Sequence, residues 1–265
     1  MDFQKLAKEF KEKGYLELRG FFTRQECEAL LATMGTAQQC ERGRGRLNDQ
    51  GLTFNHNLYY HNPPIQQFIT QKKIIDLLTP IAGPDIWIRW DQLVSKKLGG
   101  VEFPWHQDNG YNGLKDEHYQ FWIALSPSNA ENGGLWLVPG SHKNGVAPHI
   151  WVGKHKVAQG VDESKEIAIS AQTGDAVLFS SLMMHRTKLS TVNIDRHAYV
   201  VEYMSAKKYD PYLEAPFFMV SKNGVPSVGF ADNYPGRRNP LNHLKYAPSF
   251  PQLAKRAIKR LVPSS

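Results

Sequence analysis

The hydrophobic period of the chain changes once, near Asp85, and that change restricts the fold more than any other feature. Before it, apolar residues recur at helical spacing. Phe3, Leu6, Ala7 and Phe10 run to a stop at Gly14, and the capping-box sequence Thr23 to Glu26 opens a helix reaching about Met34. A third helical pattern, Ile65, Phe68, Ile69, Ile75 and Leu78, lies between Pro63-Pro64 and Thr79-Pro80. From Asp85 the period is two, with Ile86, Ile88 and Trp90 alternating against Trp87, Arg89 and Asp91. Short strands are predicted at 120–125, 134–138, 166–170, 176–180 and 197–204, parted by Gly, Pro and Asn turns. Helices followed by many short strands predict an α+β chain: a double-stranded β-helix core, jelly-roll or cupin-like, with the N-terminal helices packed on its outside.

A chain of 265 residues suits one β-rich domain, so residues 1–265 are expected to form a single domain. Its core would span about 3–205. The extension 206–265 reads as Pro-rich and irregular up to a short basic helix near 251–261, and its segment 228–243 could fold over a site as a lid. Cys27 and Cys40 stand in no metal-ligand spacing and read as free thiols of a reducing compartment. With no long apolar run and no apolar stretch near Met1, the expectation is a cytoplasmic protein without membrane contact.

The 32 Lys and Arg outnumber the 25 Asp and Glu, and the excess gathers at Glu41 to Arg46, Gly236 to Arg238 and Lys255 to Arg260. These patches are short, scattered and not interleaved with stacking aromatics, which argues against nucleic acid as a partner. A small anionic substrate suits the same balance. The oligomeric state is not readable from the sequence.

His106 and Asp108 are two apart, so in a strand both would face one side and offer an imidazole and a carboxylate to one ion. Composition alone delivers about one such pair in a chain like this, so the pair gains meaning only from partners. His185, just past a strand that follows Gly174-Asp175, would complete two histidines and one carboxylate. That facial set leaves open positions and suits non-haem Fe(II). Arg196, eleven residues on, could clamp a carboxylate bidentately. The run Glu131 to Gly145 reads as turn, strand and turn, with His142 in the second turn.

Three ordered stretches, "WHQD", "ENGGLWLVPGSHKNG" and "MHRTKLSTVNIDRHAYVVEY", together with the opening "FKEKGYLELRGFFTRQECEALL", resemble the phytanoyl-CoA dioxygenase family of Fe(II)- and 2-oxoglutarate-dependent oxygenases. The resemblance covers roughly residues 3–205. It implies iron ligands at His106, Asp108 and His185, and Fe(II), 2-oxoglutarate and O2 as the reacting set. For 2-oxoglutarate it implies contacts from Arg196, Thr187, Phe103, Trp122, Lys97 and Gln92. Asn109, Tyr111, Asn112, Arg237 and Arg238 are the candidate substrate contacts. The carboxylate at 108 argues against a halogenase, since related halogenases lack it. What the resemblance implies is hydroxylation of an unactivated C–H of a small molecule, with desaturation or cyclisation by the same chemistry left open, and a specialised-metabolite tailoring enzyme is expected. The alternatives are an acyl-CoA α-hydroxylase and, in another class, a non-catalytic metal- or ligand-binding jelly roll.

Overall fold

The computed structural model of the chain describes residues 1–37 and 46–235. The elements run α1 (Phe3–Lys13), β1 (Tyr15–Leu18), α2 (Arg24–Thr36), β2 (Arg46–Asp49), β3 (Leu52–His56), α3 (Pro63–Ile69), α4 (Lys72–Ala82) and β4 (Ile86–Lys96). There follow β5 (Phe103–His106), α5 (Asp108–Asn112), β6 (Tyr119–Ala124), β7 (Leu135–Leu137), β8 (His149–Val152), β9 (His155–Ala158) and β10 (Ile167–Ala168). The last are β11 (Ala176–Ser180), β12 (His185–Thr187), β13 (Arg196–Ser205), β14 (Phe217–Lys222) and β15 (Val225–Ala231).

The larger sheet has the order β1-β11-β6-β13-β4-β14-β15, with β3 on β4 and β2 on β3. The smaller sheet has the order β10-β7-β12-β5, and β8 with β9 forms a separate hairpin. The strand pairs are antiparallel. Strand alternation divides the larger sheet into two faces. Phe121, Ile123, Tyr199 and Val201 on one face pack with Phe10, Leu30, Ile65, Ile69 and Leu78 of the helices. Trp122, Ala124, Val94, Ala198 and Val200 on the other pack with Leu135, Leu137 and Met183, in and beside the smaller sheet. Burial of that second face encloses the space between the sheets, where the candidate site lies.

The predicted jelly-roll core and outer helices are present, and Thr23 with Glu26 forms the capping box. Other expectations need correction. The third helical pattern is two helices, α3 and α4, and α4 continues through Pro80 to Ala82. Pro80 has no N–H to offer Asp76 O, and the helix closes two residues later, where Gly83 N–H bonds Thr79 O at 2.9 Å. The alternation read through Arg89 and Trp90 is broken by a bulge, since Glu202 pairs with Trp90 and Tyr203 with Ile88. The extra residue turns Arg89 toward Glu202. The extension is not irregular over its first part: β14 and β15 lengthen the larger sheet, and residues 228–231 of the expected lid are strand. Arg237, Arg238, Cys40 and the basic helix expected near 251–261 lie outside the described residues. Among the described residues no helix is long and apolar enough to cross a membrane.

Candidate active site

Register brings the three predicted ligands together. β12 lies between β5 and β7, and His185 pairs directly with His106. Their rings stand 4.0 Å apart between centroids, and both are about nine-tenths buried. Asp108 does not arrive by strand periodicity. β5 ends at His106, Gln107 is extended, and Asp108 is the first residue of α5. The strand-to-helix step swings the carboxylate to within 3.7 Å of His106 Nε2 and 3.8 Å of His185 Nε2. One ligand atom from each of the three falls within 4.8 Å of the others.

Each imidazole is set by the backbone. His106 Nδ1 lies 2.9 Å from Pro104 O and His185 Nδ1 lies 2.9 Å from Met183 O. A backbone carbonyl accepts only from N–H, which leaves Nε2 of both rings as a lone-pair donor toward the centre. Burial lowers the pKa of both rings, His106 well below its ordinary value and His185 to about 4. They are thus neutral, the state a metal requires. Burial, followed by the negative charge of Glu202, raises Asp108, while Gln120 Nε2 donates to its Oδ2 at 2.9 Å. Two neutral imidazoles and one carboxylate, converging and largely hidden from water, fit a divalent iron with positions left for other ligands.

Beside this triad lie two buried cations with no carboxylate partner among the described residues. Lys96 closes β4 and Arg196 opens β13, directly opposite one another. Lys96 Nζ donates to Thr187 Oγ1 at 2.9 Å and Lys188 O at 2.7 Å, and Arg196 Nη2 to Gly133 O at 3.0 Å. Arg196 Nε has no partner among the described residues. Burial lowers Lys96 to about 7, helped by Arg196, and Arg196 to about 10. Two like charges paired across strands in a dry place are unfavourable until an anion joins them. The site therefore fits a small dicarboxylate by the same test of donors.

Two glycines make room for Lys96. A Cβ on Gly133, whose φ is +73°, would stand 2.3 Å from Lys96 Cδ, and one on Gly100 would stand 2.5 Å from Lys96 Cγ. The Gly-Gly turn of "ENGG" thus has a task beyond backbone geometry, because its carbonyl holds Arg196 while its missing side chain admits Lys96.

Most of the predicted contacts gather here. Phe103 packs edge-on to His106 at 4.6 Å, Trp122 is buried in the inner face, and Thr187 meets Lys96. Gln92, half-buried, shares the inward face with Val94 and Lys96. Lys97 is corrected: it is exposed, and Lys96, one residue back, carries the buried ammonium. Lys97 is implied by the resemblance alone, and of two adjacent lysines on a strand end only one can face inward, here Lys96, which pairs with Arg196. Asn109 is also corrected. It is fully buried, and its amide donates to Leu114 O and Asp116 O, tying down the turn after α5. Tyr111 stands 5.8 Å from both Phe103 and His106, whereas Asn112 points into solvent. Sequence reasoning missed Lys96, Gln120, Glu202 and His155, whose ring packs on Phe103 at 4.9 Å. For Gln120 and Glu202 a signal existed, as each sits two or more places along its strand from another inward residue.

The family model described as phytanoyl-CoA dioxygenase (PhyH) matches residues 10–198. A probable alpha-ketoglutarate-dependent hypophosphite dioxygenase of Stutzerimonas stutzeri is 26% identical over 165 residues, which are 56% of this chain and 56% of that protein. The chain thus aligns with little more than half the length of that relative. Among solved structures, the non-heme monooxygenase ThoJ superposes with a TM-score of 0.70 at 18% identity, over 97% of this chain and 98% of that one. The non-heme alpha ketoglutarate dependent epimerase SnoN from nogalamycin biosynthesis superposes with a TM-score of 0.62 at 17% identity, over 86% and 96%. At such identities the two structures speak for the fold alone.

Proposed function

The chain belongs to the phytanoyl-CoA dioxygenase family of iron- and 2-oxoglutarate-dependent oxygenases, and from that premise we propose that it hydroxylates an unactivated C–H bond of a small, anionic molecule, as a specialised-metabolite tailoring enzyme does. The observation that carries the reading is the His106–Asp108–His185 cluster beside two buried, unpaired cations. When bound, iron with 2-oxoglutarate supplies O2-driven oxidation of a substrate C–H bond, coupled to decarboxylation of the cosubstrate.

The residues divide the work. His106, Asp108 and His185 hold the metal through two neutral Nε2 atoms and one carboxylate. Arg196, Lys96 and Thr187 would receive a carboxylate of 2-oxoglutarate, with the guanidinium giving direction and the ammonium charge. Trp122, Phe103 and Gln92 wall the same space and exclude water from it. Asp108 fills the place a halide would need, which supports hydroxyl transfer over halogenation. A surface cleft of about 480 Å³ opens beside α5, lined by Gly110, Leu114, Val146 and His149, with Lys115 and Lys156 at its edge. Its size and its two ammonium groups support a small anionic substrate.

Anaerobic addition of Fe(II) and 2-oxoglutarate to the protein tests the reading. A visible charge-transfer band, lost in Arg196→Ala and in His185→Ala, is the expected result. Absence of the band in the wild-type protein overturns the oxygenase assignment. Reaction type is then read from the product: oxygen gain in the substrate supports hydroxylation, and a substrate changed without it favours desaturation, cyclisation or epimerisation.

A further inference from the structure

Asp108 is held by a buried polar chain that ends outside the family-matched region. Gln120 Nε2 donates one hydrogen to Asp108 Oδ2 at 2.9 Å and the other to Glu202 Oε1 at 3.0 Å. Gln120 and Glu202 are cross-strand neighbours on β6 and β13 and are 2% and 5% exposed. Glu202 is itself gripped: Arg89 Nη1 donates to its Oε2, and His118 Nε2 lies 3.3 Å from the same oxygen. Arg89 Nε in turn donates to Asp210 Oδ2 at 2.6 Å, and Asp210 Oδ1 accepts from Tyr212 N–H at 2.8 Å. Glu202 and Asp210 lie beyond residue 198, where the family match ends.

The chemistry of the amide fixes its direction. A carboxamide placed between two carboxylates can satisfy both only through its NH2 group, because a flip would set Oε1 against an anionic oxygen. Gln120 is thus locked by Glu202, and it can present only a donor to Asp108. Gln120 Oε1, facing neither carboxylate, has no partner among the described residues, so no other bond holds the amide in place. One lone pair of the Asp108 carboxylate is engaged, and its rotation about the Cβ–Cγ bond is stopped. The bulge at Arg89 is what allows this, since it turns the guanidinium inward to meet Glu202 and Asp210 together.

We propose that Gln120, locked by the Glu202–Arg89–Asp210 chain, is a positioning residue that orients the Asp108 carboxylate for the metal, so that a buried chain reaching Asp210, past the family-like core, tunes the affinity of the iron site. The inference rests on the reading of His106, Asp108 and His185 as metal ligands. Outer-shell partners of this kind change metal affinity by about 10–100-fold.

The test uses the metal-free full chain titrated with Co(II), reading the dissociation constant and the visible Co(II) absorption, with thermal unfolding of the metal-free protein as the check on folding. Gln120→Met keeps the length and removes both donors. It is expected to weaken Co(II) binding by about tenfold or more and to shift the absorption. Glu202→Gln, which frees the amide without touching the ligand, is expected to weaken binding by a smaller factor. In an Asp108→Ala background, Gln120→Met should cause no further loss, because the ligand through which it acts is gone. Wild-type affinity and spectrum in Gln120→Met overturns the proposal, as does an undiminished loss in the Asp108→Ala background. Should Gln120→Met fail to fold, Glu202→Gln decides, and wild-type binding there overturns it. Failure of the wild-type protein to bind Co(II) would instead strike the metal-site reading itself.

Discussion

Lys96 is the residue at which charge, burial and chemistry conflict most. Its ordinary pKa of 10.5 falls to about 7 through burial and the Arg196 charge, so the protein without cosubstrate favours the neutral amine above that pH. A depressed lysine means that the unfolded chain binds more protons between about 7 and 10.5. This group alone therefore makes the empty protein more stable as pH rises through that window. Binding of a dianion has the opposite sign, because it needs the ammonium and must take up a proton. The dissociation constant for 2-oxoglutarate is expected to rise as pH climbs above about 7, by at most about tenfold per unit, and to lose that slope in Lys96→Met. Calorimetric titration across that range, with Mn(II) in the site, checks it. Arg196→Lys is expected to weaken 2-oxoglutarate by about 10–100-fold at any pH, since charge-assisted, bidentate bonds contribute about 1.5–3 kcal/mol. Gly133→Ala would drive a Cβ into Lys96 at positive φ, with an expected loss of about 2 kcal/mol in thermal unfolding and weaker 2-oxoglutarate binding.

At the scale of elements, the site depends on where β5 stops and α5 starts, and Gln107 sets that point. Its side chain is fully buried, donating to Gly145 O at 2.8 Å and Leu182 O at 2.6 Å and accepting from Ala147 N–H at 2.8 Å. The middle residue of "HQD" thus ties the ligand-bearing corner to two neighbouring loops, although periodicity alone assigns it only the opposite face. Gln107→Leu strips three backbone groups of their partner and is expected to cost about 3 kcal/mol in chemical denaturation. The same change should weaken metal binding, because Asp108 is the next residue. Thr23→Ala is the contrast: it removes the capping box of α2, far from the site in the fold, and is expected to cost about 1 kcal/mol with metal affinity unchanged. Both elements were legible to different degrees. The capping box is a local signal and was read from four residues, whereas the break between β5 and α5 follows from contacts 38 to 75 residues away. The bulge at Arg89 is likewise invisible locally.

Across the whole molecule, one sheet separates two environments. Its helix-side face holds a dry apolar core, and its inner face holds the two cations and the Gln120 chain, facing the smaller sheet and α5 that carry the triad. The period change near Asp85 made that division legible, and the resemblance placed His106, Asp108, His185 and Arg196 within it. What sequence could not supply was the pairing of strands distant in the chain, which alone sets Arg196 opposite Lys96 and His185 opposite His106. Two adjacent buried cations beside three converging metal-ligand side chains are less favourable than a neutral surface, so the natural occupants of the space between the sheets should stabilise the fold by mass action. Each ligand at a hundred times its dissociation constant adds about 2.7 kcal/mol, and for a chain of this size each kcal/mol raises the unfolding midpoint by about 2–4 °C. Mn(II) and 2-oxoglutarate together are thus expected to raise the midpoint by about 10 °C or more, while 2-oxoglutarate without metal raises it by less than half as much. Scanning calorimetry with the four combinations of ligand decides the point. An increment for the pair no larger than the sum of the single increments would show that the cation pair and the triad bind independently, against their sharing one space between the two sheets.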